Sequence, residues 1–117
     1  MIPAPIKPLA TLADLDKLDI RVGRIRQVRD VPGSDTLMQL IVTFGDHERS
    51  VLAGIKKERS DPGVLAGRQA LFVINLPPRK MVGLVSEAML FDIGYADGIV
   101  PVLASPESPV PDGARAV

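Results

Sequence analysis

Proline and glycine divide this chain into short segments and so restrict it to small secondary-structure elements. Eleven prolines and ten glycines occur in 117 residues. Proline lacks a backbone N–H donor and glycine favours turn conformations, so both residues tend to end regular elements. Many of the intervening segments are rich in valine and isoleucine, which are typical strand residues. With 46% apolar and 24% charged residues, the sequence predicts one folded, mostly β domain.

Apolar periodicity and turn residues predict two short helices and six strands. Thr11 can cap the first helix, because Asp14 follows three residues later and leucines recur at helical spacing. In the first strand the apolar positions change parity after Gly23, which indicates a bulge at that residue. Asp61 and Pro62 can start the second helix. In order, the predicted elements are a helix over 9–18, strands over 20–31, 37–44 and 48–53, a helix over 62–66, and strands over 69–76, 82–91 and 98–103.

The order of these elements matches one known architecture. Three strands, a short helix and two further strands are the element order of the five-stranded OB-fold barrel. Pattern alone leaves an unrelated small β-sandwich open as the alternative. The apolar stretch over 99–104 and the proline-rich residues after it exceed what a five-stranded barrel needs. We therefore expect a mostly β OB-fold barrel with short helices and a C-terminal extension.

The residue types exclude several kinds of chemistry. The chain has no cysteine and one histidine, which excludes disulfides, cysteine-based metal sites and thiol catalysis. No tight carboxylate cluster indicates a magnesium site, and no nucleophile–base pair or glycine-rich phosphate loop is present. We expect no enzymatic activity, no metal and no cofactor. No apolar run approaches membrane-spanning length and the first residues lack a signal-peptide pattern, which predicts a cytoplasmic protein without a membrane partner.

Charge is unevenly distributed along the chain. The formal net charge is zero, yet residues 20–90 contain eleven Lys and Arg against seven Asp and Glu. Basic side chains supply the phosphate contacts that dominate nucleic-acid binding, so this part of the chain permits an anionic partner. Solubility alone is the other explanation. The chain has only three Phe and one Tyr, so any RNA contact should depend on shape and backbone more than on base stacking. The basic groups are Arg21, Arg24, Arg26 and Arg29; Lys56, Lys57 and Arg59; and Arg79 with Lys80 at a predicted turn.

Three ordered motifs resemble one family. They are Leu-Asp-Ile-Arg-Val-Gly-Arg-Ile over 18–25, Asn-Leu-Pro-Pro-Arg-Lys-Met over 75–81 followed by Gly83, and Ser-Glu-Ala-Met-Leu over 86–90. This arrangement is similar to the tRNA-binding domain found at the C-terminus of many bacterial methionyl-tRNA synthetases and as free-standing, structure-specific tRNA-binding proteins. The CsaA secretion chaperones share the same domain. The resemblance predicts a lead segment over 1–14 and a tRNA-binding domain with its extension over 15–117.

The resemblance also implies an assembly and a site. It implies a homodimer that grips tRNA by its overall shape, with the stretch over 99–104 at or beside the interface. The chain begins with methionine close to the domain, so it is similar to the free-standing members, and an aminoacyl-tRNA synthetase is a further possible partner. The family site implicates Ser86 and Met89, with other polar side chains nearby. The predicted RNA-binding residues are Arg24, Asn75, Arg79, Lys80, Ser86 and Met89.

Two departures from the family pattern leave a second ligand open. Val82 stands where many tRNA-binding members carry a further basic residue. Ser86 and Met89 are three residues apart, so they can line one site only if the strand bulges or ends there. The start of the domain and the Ser-Glu pair resemble the chaperone branch, whereas Ala-Gly-Ile over 53–55 resembles the tRNA-binding branch. Binding of unfolded or precursor peptides is therefore the alternative to tRNA binding.

Overall fold

Strands make up most of the regular secondary structure in this computed structural model, which describes residues 1–116. Val117, the last residue of the predicted domain, lies outside the described residues. Helix α1 spans Leu12–Asp16, and single 3-10 turns lie at Pro62–Leu65 and Tyr95–Asp97. Strands β1 to β9 span Ile20–Asp30, Met38–Thr43, Glu48–Ala53, Gln69–Val73, Arg79–Met81, Leu84–Ser86, Met89–Leu90, Asp92–Ile93 and Val102–Leu103.

Five of these strands form a nearly closed antiparallel barrel. Their spatial order is β3-β2-β1-β4-β7, and the first 3-10 turn lies between β3 and β4 in the chain. Alternate residues of the central strands point inward, and Ile25, Leu40, Val51 and Phe72 are completely buried. Each such side chain stabilises the fold by about 1.5–3 kcal/mol through removal of apolar surface from water. The predicted OB-fold barrel is confirmed.

The barrel is closed by side chains and single backbone bonds between β3 and the end of β6. The Leu52 N–H donates to Ser86 Oγ at 3.0 Å, and the Glu87 N–H donates to the Ser50 carbonyl at 2.8 Å. The Ser50 N–H in turn donates to Glu87 Oε1 at 2.9 Å. Arg49 Nη1 donates to the carbonyls of Ile74 and Glu87 at 2.6 and 3.0 Å. The Ser-Glu pair of the third motif is therefore the seam of the barrel.

The predicted bulge at Gly23 is wrong. Gly23 pairs regularly with Ala70, and the register of β1 against β2 shifts between Ile25 and Gln27 instead. A Cβ atom on Gly23 would lie 2.5 Å from Val42 Cγ1 and 2.8 Å from a ring carbon of Phe44. Glycine is needed at this position because the core packs against the backbone.

Two predictions about the second half of the chain are also wrong. The strand expected over 82–91 is interrupted, since β6 ends at Ser86 and β7 begins at Met89. Arg79 and Lys80 lie in β5, which pairs with β6, and not in a turn. The turn of this hairpin is Val82-Gly83, whose φ angles of +51° and +79° are typical of a two-residue hairpin turn. A left-handed conformation is unfavourable for a β-branched residue such as Val82.

The first helix is confirmed but shorter than expected. Thr11 Oγ1 accepts from the Asp14 N–H, and Asp14 Oδ2 accepts from the Thr11 N–H, both at 3.1 Å. This reciprocal capping stabilises the start of the helix. The helix is only five residues long and buries none of them, so it does not contribute to the barrel core.

The C-terminal extension folds back over the barrel. Strands β8 and β9 form a small separate ribbon. The last described residues then lie along β1, where the Val22 N–H donates to the Ala114 carbonyl at 2.8 Å and the Gly113 N–H donates to the Val22 carbonyl at 2.7 Å. Gln69 Nε2 donates to the Val110 carbonyl at 2.6 Å. The extension is thus bonded to two barrel strands.

Candidate functional site

An apolar cleft of about 310 Å³ lies against the seam of the barrel. Its walls come from three segments of the chain: the end of β3, the β4–β5 connection with β5, and the stretch from β6 to β8. The polar groups on its surface are Arg79, Ser86 and Asp92. The main apolar lining residues are Leu52, Ile55, Leu76, Met81, Met89 and Leu90.

The cleft brings together both residues of the Ser-x-x-Met motif. Ser86 and Met89 line the same wall because β6 ends at the serine and β7 begins at the methionine. The two side chains differ in how accessible they are to a ligand. Ser86 is 6% exposed, and its hydroxyl accepts from Leu52 and donates to the Ala88 carbonyl at 3.1 Å. Met89 is 46% exposed and is free to contact a ligand. Ser86 therefore shapes the cleft, whereas Met89 offers it a contact surface.

Two exposed basic residues lie on β5, and one of them lines the cleft. Arg79 lines the cleft, and Lys80 follows it on β5, so the two side chains point to opposite faces of the hairpin. Neither side chain forms an ion pair with any residue in 1–116. Both positive charges therefore remain available to an anionic ligand.

Arg24 and Asn75, the other two predicted site residues, lie outside the cleft. Arg24 forms an ion pair with Asp112 at 3.3 Å and donates to the Gly67 carbonyl at 2.9 Å. Asn75 accepts from the Asp19 N–H and donates to the Lys17 carbonyl, both at 2.7 Å. The Arg24–Asp112 ion pair holds the C-terminal extension against the barrel, and the hydrogen bonds of Asn75 hold the segment before β1. A direct role of either residue in RNA binding stays a prediction.

Several other basic residues are already bound to carboxylates. Arg21 contacts Asp19 at 2.9 Å and Lys56 contacts Asp30 at 2.7 Å. Lys57, in contrast, is exposed and forms no ion pair within residues 1–116. It was predicted only as part of a basic group and not as a site residue. The sequence does not show that Lys57 is the unpaired lysine of the Lys-Lys pair. The fold decides which of the two lysines contacts Asp30.

A second, wider cavity of about 900 Å³ adjoins the cleft and shares Met89, Leu90 and Asp92 with it. It runs along the C-terminal extension and is called here the extension groove. Its lining includes the exposed side chains of Tyr95, Ile99 and Val100. Lys57 and Glu58 lie on its other side. An apolar surface of this kind is typical of a binding or association site.

A pair of acidic side chains lies where the two cavities meet. Burial and the neighbouring Asp92 carboxylate raise the pKa of Glu58, although Arg59, 3.0 Å from Glu58, acts in the opposite direction. Asp92 Oδ1 is buried and has no hydrogen-bond donor among residues 1–116. A proton on Glu58 would supply the missing donor. The uncharged form of Glu58 is therefore favoured at this position.

Replacing Glu58 with glutamine should make the protein more stable at neutral and alkaline pH. Because the folded-state pKa of Glu58 is raised, its contribution to stability is present below the ordinary value of 4.5 and is lost as pH rises through the folded-state pKa. Glutamine stays uncharged and can still donate to Asp92. Chemical denaturation of parent and Glu58→Gln proteins between pH 4 and 9 would measure this. A difference in unfolding free energy that does not grow with pH would contradict the raised pKa of Glu58.

The described chain offers no metal site of the usual kind and no membrane-spanning helix. Residues 1–116 contain no group of three or more histidine, aspartate or glutamate side chains able to hold a metal ion. No helix in the same range is long and apolar enough to cross a membrane.

Comparison with known proteins identifies the family. The family model described as "Putative tRNA binding domain" matches residues 20–115. The chain belongs to this tRNA-binding domain family. A methionine–tRNA ligase of Nitrosomonas europaea is 40% identical over 112 residues, which are 96% of this chain but only 16% of the ligase. The family resemblance of the three motifs is confirmed.

Solved structures support the same assignment. The MetRS-related protein of Pyrococcus horikoshii is 32% identical, with a TM-score of 0.87 over 95% of this chain and 100% of that one. The chaperone CsaA of Bacillus anthracis is 27% identical, with a TM-score of 0.79 over 94% of this chain and 100% of that one. The structural neighbours of this chain thus include both kinds of protein that the motifs suggested.

Proposed function

We propose that this protein is a non-catalytic, structure-specific tRNA-binding protein that acts in the cytoplasm as a free-standing homodimer. The observation that carries the proposal is the cleft with unpaired basic side chains beside it. Arg79 lines the cleft, Lys80 lies on the opposite face of the same hairpin, and Lys57 lies on the adjoining groove. Membership of the tRNA-binding domain family supports tRNA as the ligand. The MetRS-related protein, which is matched over 100% of its own chain, supports a free-standing form.

Backbone contacts should dominate the interaction with RNA. The aromatic residues Phe44 and Phe72 are buried in the core, and their rings pack edge to face at 5.6 Å. They cannot stack on bases. None of the described residues that line the cleft is aromatic, so specificity would come from the shape of the tRNA. Because a similar methionine–tRNA ligase matches this chain over only 16% of its own length, a synthetase is the protein partner that we propose.

Peptide binding is the second candidate function. The cleft and the extension groove are largely apolar, and the chain is similar to the chaperone CsaA. An extended peptide could place alternate side chains in such a surface. The two functions differ in electrostatics, because a peptide complex that depends on apolar contacts should be insensitive to salt.

The homodimer is proposed because apolar side chains of the extension are exposed on the single chain. Ile99, Val100 and Val102 are among them. Such residues are commonly buried between subunits. Light scattering during size-exclusion chromatography should give the mass of two chains at tens of micromolar. A mass of one chain would remove the two-fold grip on tRNA from the proposal.

Affinity for tRNA should fall steeply as salt rises. About four to six phosphate contacts, shared between two protomers, give a log–log slope of roughly −3 to −5. Titration of total tRNA and of an unfolded peptide at several salt concentrations would measure both candidate functions together. If tRNA affinity is flat while peptide affinity is high, the basic side chains are not the site and peptide binding is the function.

A further inference from the structure

Residues 1–11 carry large apolar side chains that the single chain does not use, and they are called here the lead arm. Ile6 is 96% exposed and Leu9 is 100% exposed. No hydrogen bond joins residues 1–10 to the rest of the described chain. Isolated apolar residues on a surface are common, but an entire segment with its apolar groups in water indicates a missing contact.

The apolar residues of the lead arm continue into helix α1 at a fixed spacing. Every third residue is isoleucine or leucine over five positions: Ile6, Leu9, Leu12, Leu15 and Leu18. Prolines 3, 5 and 8 fix their own φ angles and disfavour helix in the residues before them. The arm therefore favours polyproline II, which has three residues per turn. Ile6 and Leu9 then lie on one edge, in line with Leu12.

The root of the arm is held firmly against the barrel. Asn75 bonds to Lys17 and Asp19 at 2.7 Å on each side, and Arg21 holds the Asp19 carboxylate at 2.9 Å. The capping box between Thr11 and Asp14 fixes the first turn of helix α1, where the arm joins the helix. A segment that starts from a fixed root and is stiffened by prolines loses little conformational entropy when it docks.

We infer that the lead arm docks in the extension groove of a second copy of this chain, and that the two copies exchange arms reciprocally. This inference rests on the proposed homodimer and assigns its contact. Extended proline-rich segments bind apolar grooves that contain exposed aromatic rings, and the extension groove presents Tyr95 beside Ile99 and Val100. The groove is lined by two carboxyl groups, Glu58 and Asp92, and by one lysine, Lys57, so its formal charge is opposite in sign to Lys7, the single charged side chain in residues 1–13.

The dimensions allow the exchange. Eleven residues in polyproline II span about 34 Å, which is similar to the 30–40 Å extents of the folded chain. A reciprocal exchange uses each contact twice, as a two-fold dimer requires. It would also place the arm of one protomer beside Met89 and Asp92, where the groove meets the cleft of the other.

Introduced cysteines provide a direct test, because the natural chain contains none. A Leu9→Cys, Val100→Cys double variant should form disulfide-linked pairs of chains under mild oxidation, and peptide mapping should find position 9 joined to position 100. A single chain bridged to itself would show that the arm occupies its own groove. That result, or a dimer in which 9 and 100 never join, would overturn the inference.

Complementation separates this inference from the proposed homodimer. An Ile6→Asp, Leu9→Asp variant and a Val100→Asp variant should each dimerise at least tenfold more weakly than the parent, and their mixture should recover a heterodimer. An Ala4→Ser variant is the control within the arm and should keep the parent mass. Because all these side chains are exposed, each variant should keep the far-UV circular dichroism of the parent, and its melting temperature should fall only as far as weaker dimerisation requires. If the Ile6→Asp, Leu9→Asp variant dimerises like the parent, the arm exchange is wrong and the homodimer stands. If the parent is a monomer, both fail.

Discussion

The Gly113→Ala substitution should lower the free energy of unfolding by about 3 kcal/mol. This is a large part of the stability of a domain of this size. Gly113 has a φ of +92°, a conformation that costs alanine roughly 1–2 kcal/mol. The added Cβ would also overlap the backbone carbonyl of Phe44. Relief of that overlap requires the chain to move away from β1 and weakens the 2.7 Å bond from the Gly113 N–H to Val22. Urea denaturation followed by circular dichroism would measure the difference.

Gly67→Ala is the matched control for this result. Gly67 has nearly the same φ, +90°, but an added Cβ there would meet no atom within 4 Å. Only the conformational cost applies, so the loss should be about 1–2 kcal/mol. Equal losses in the two variants would show that the extension does not pack on the barrel as described.

Local patterns predicted the local parts of the fold. The β2–β3 hairpin follows from apolar residues at every second position of 38–44, with polar Gln39 and Thr43 between them, and from the turn at Gly45. The capping box of α1 depends on two residues three positions apart. Periodicity and capping act over such distances, so the sequence alone was sufficient for these elements.

Periodicity and capping patterns could not predict contacts between residues that are far apart in the chain. Arg24 was predicted as an RNA contact, yet its partner Asp112 lies 88 residues further along the chain. The same holds for Ser86, whose hydroxyl receives a hydrogen bond from Leu52, 34 residues away. Glycine adds a second difficulty, because the same residue marks a bulge in one strand and a close approach of the core in another. Gly23 belongs to the second case.

The motif resemblance located the cleft because motifs report residues that meet in space. Met81 and Leu76 were part of the quoted motif without an assigned role, and both line the cleft. Asp92, which lies just after the third motif, was missed. Ser86 and Met89 are three residues apart and would face opposite ways on one regular strand. They can line one site because the strand is interrupted between β6 and β7.

The Arg79→Ala, Lys80→Ala double variant should bind tRNA roughly 30-fold more weakly at low salt. Each lost charge-assisted phosphate contact costs on the order of 1 kcal/mol, and about 1.4 kcal/mol is a factor of ten in affinity. Both side chains are exposed and unpaired within the described residues, so the melting temperature should hold. The salt dependence should become shallower by about one to two units of slope. Fluorescence titration with labelled tRNA at two salt concentrations would measure both changes.

Two further variants show whether the loss of tRNA affinity arises from contacts at the cleft. Arg26→Ala, Arg29→Ala removes the same charge from exposed positions on β1, which do not line the cleft, so it should weaken binding by less than about threefold. Met89→Ala should lower tRNA affinity with little change in melting, because its side chain is half exposed and lines the cleft. A methionine in the core would instead cost about 2–5 kcal/mol of stability. If the Arg79→Ala, Lys80→Ala protein binds tRNA like the parent, the cleft is not a tRNA site, and the apolar walls around Met89 favour peptide as its ligand.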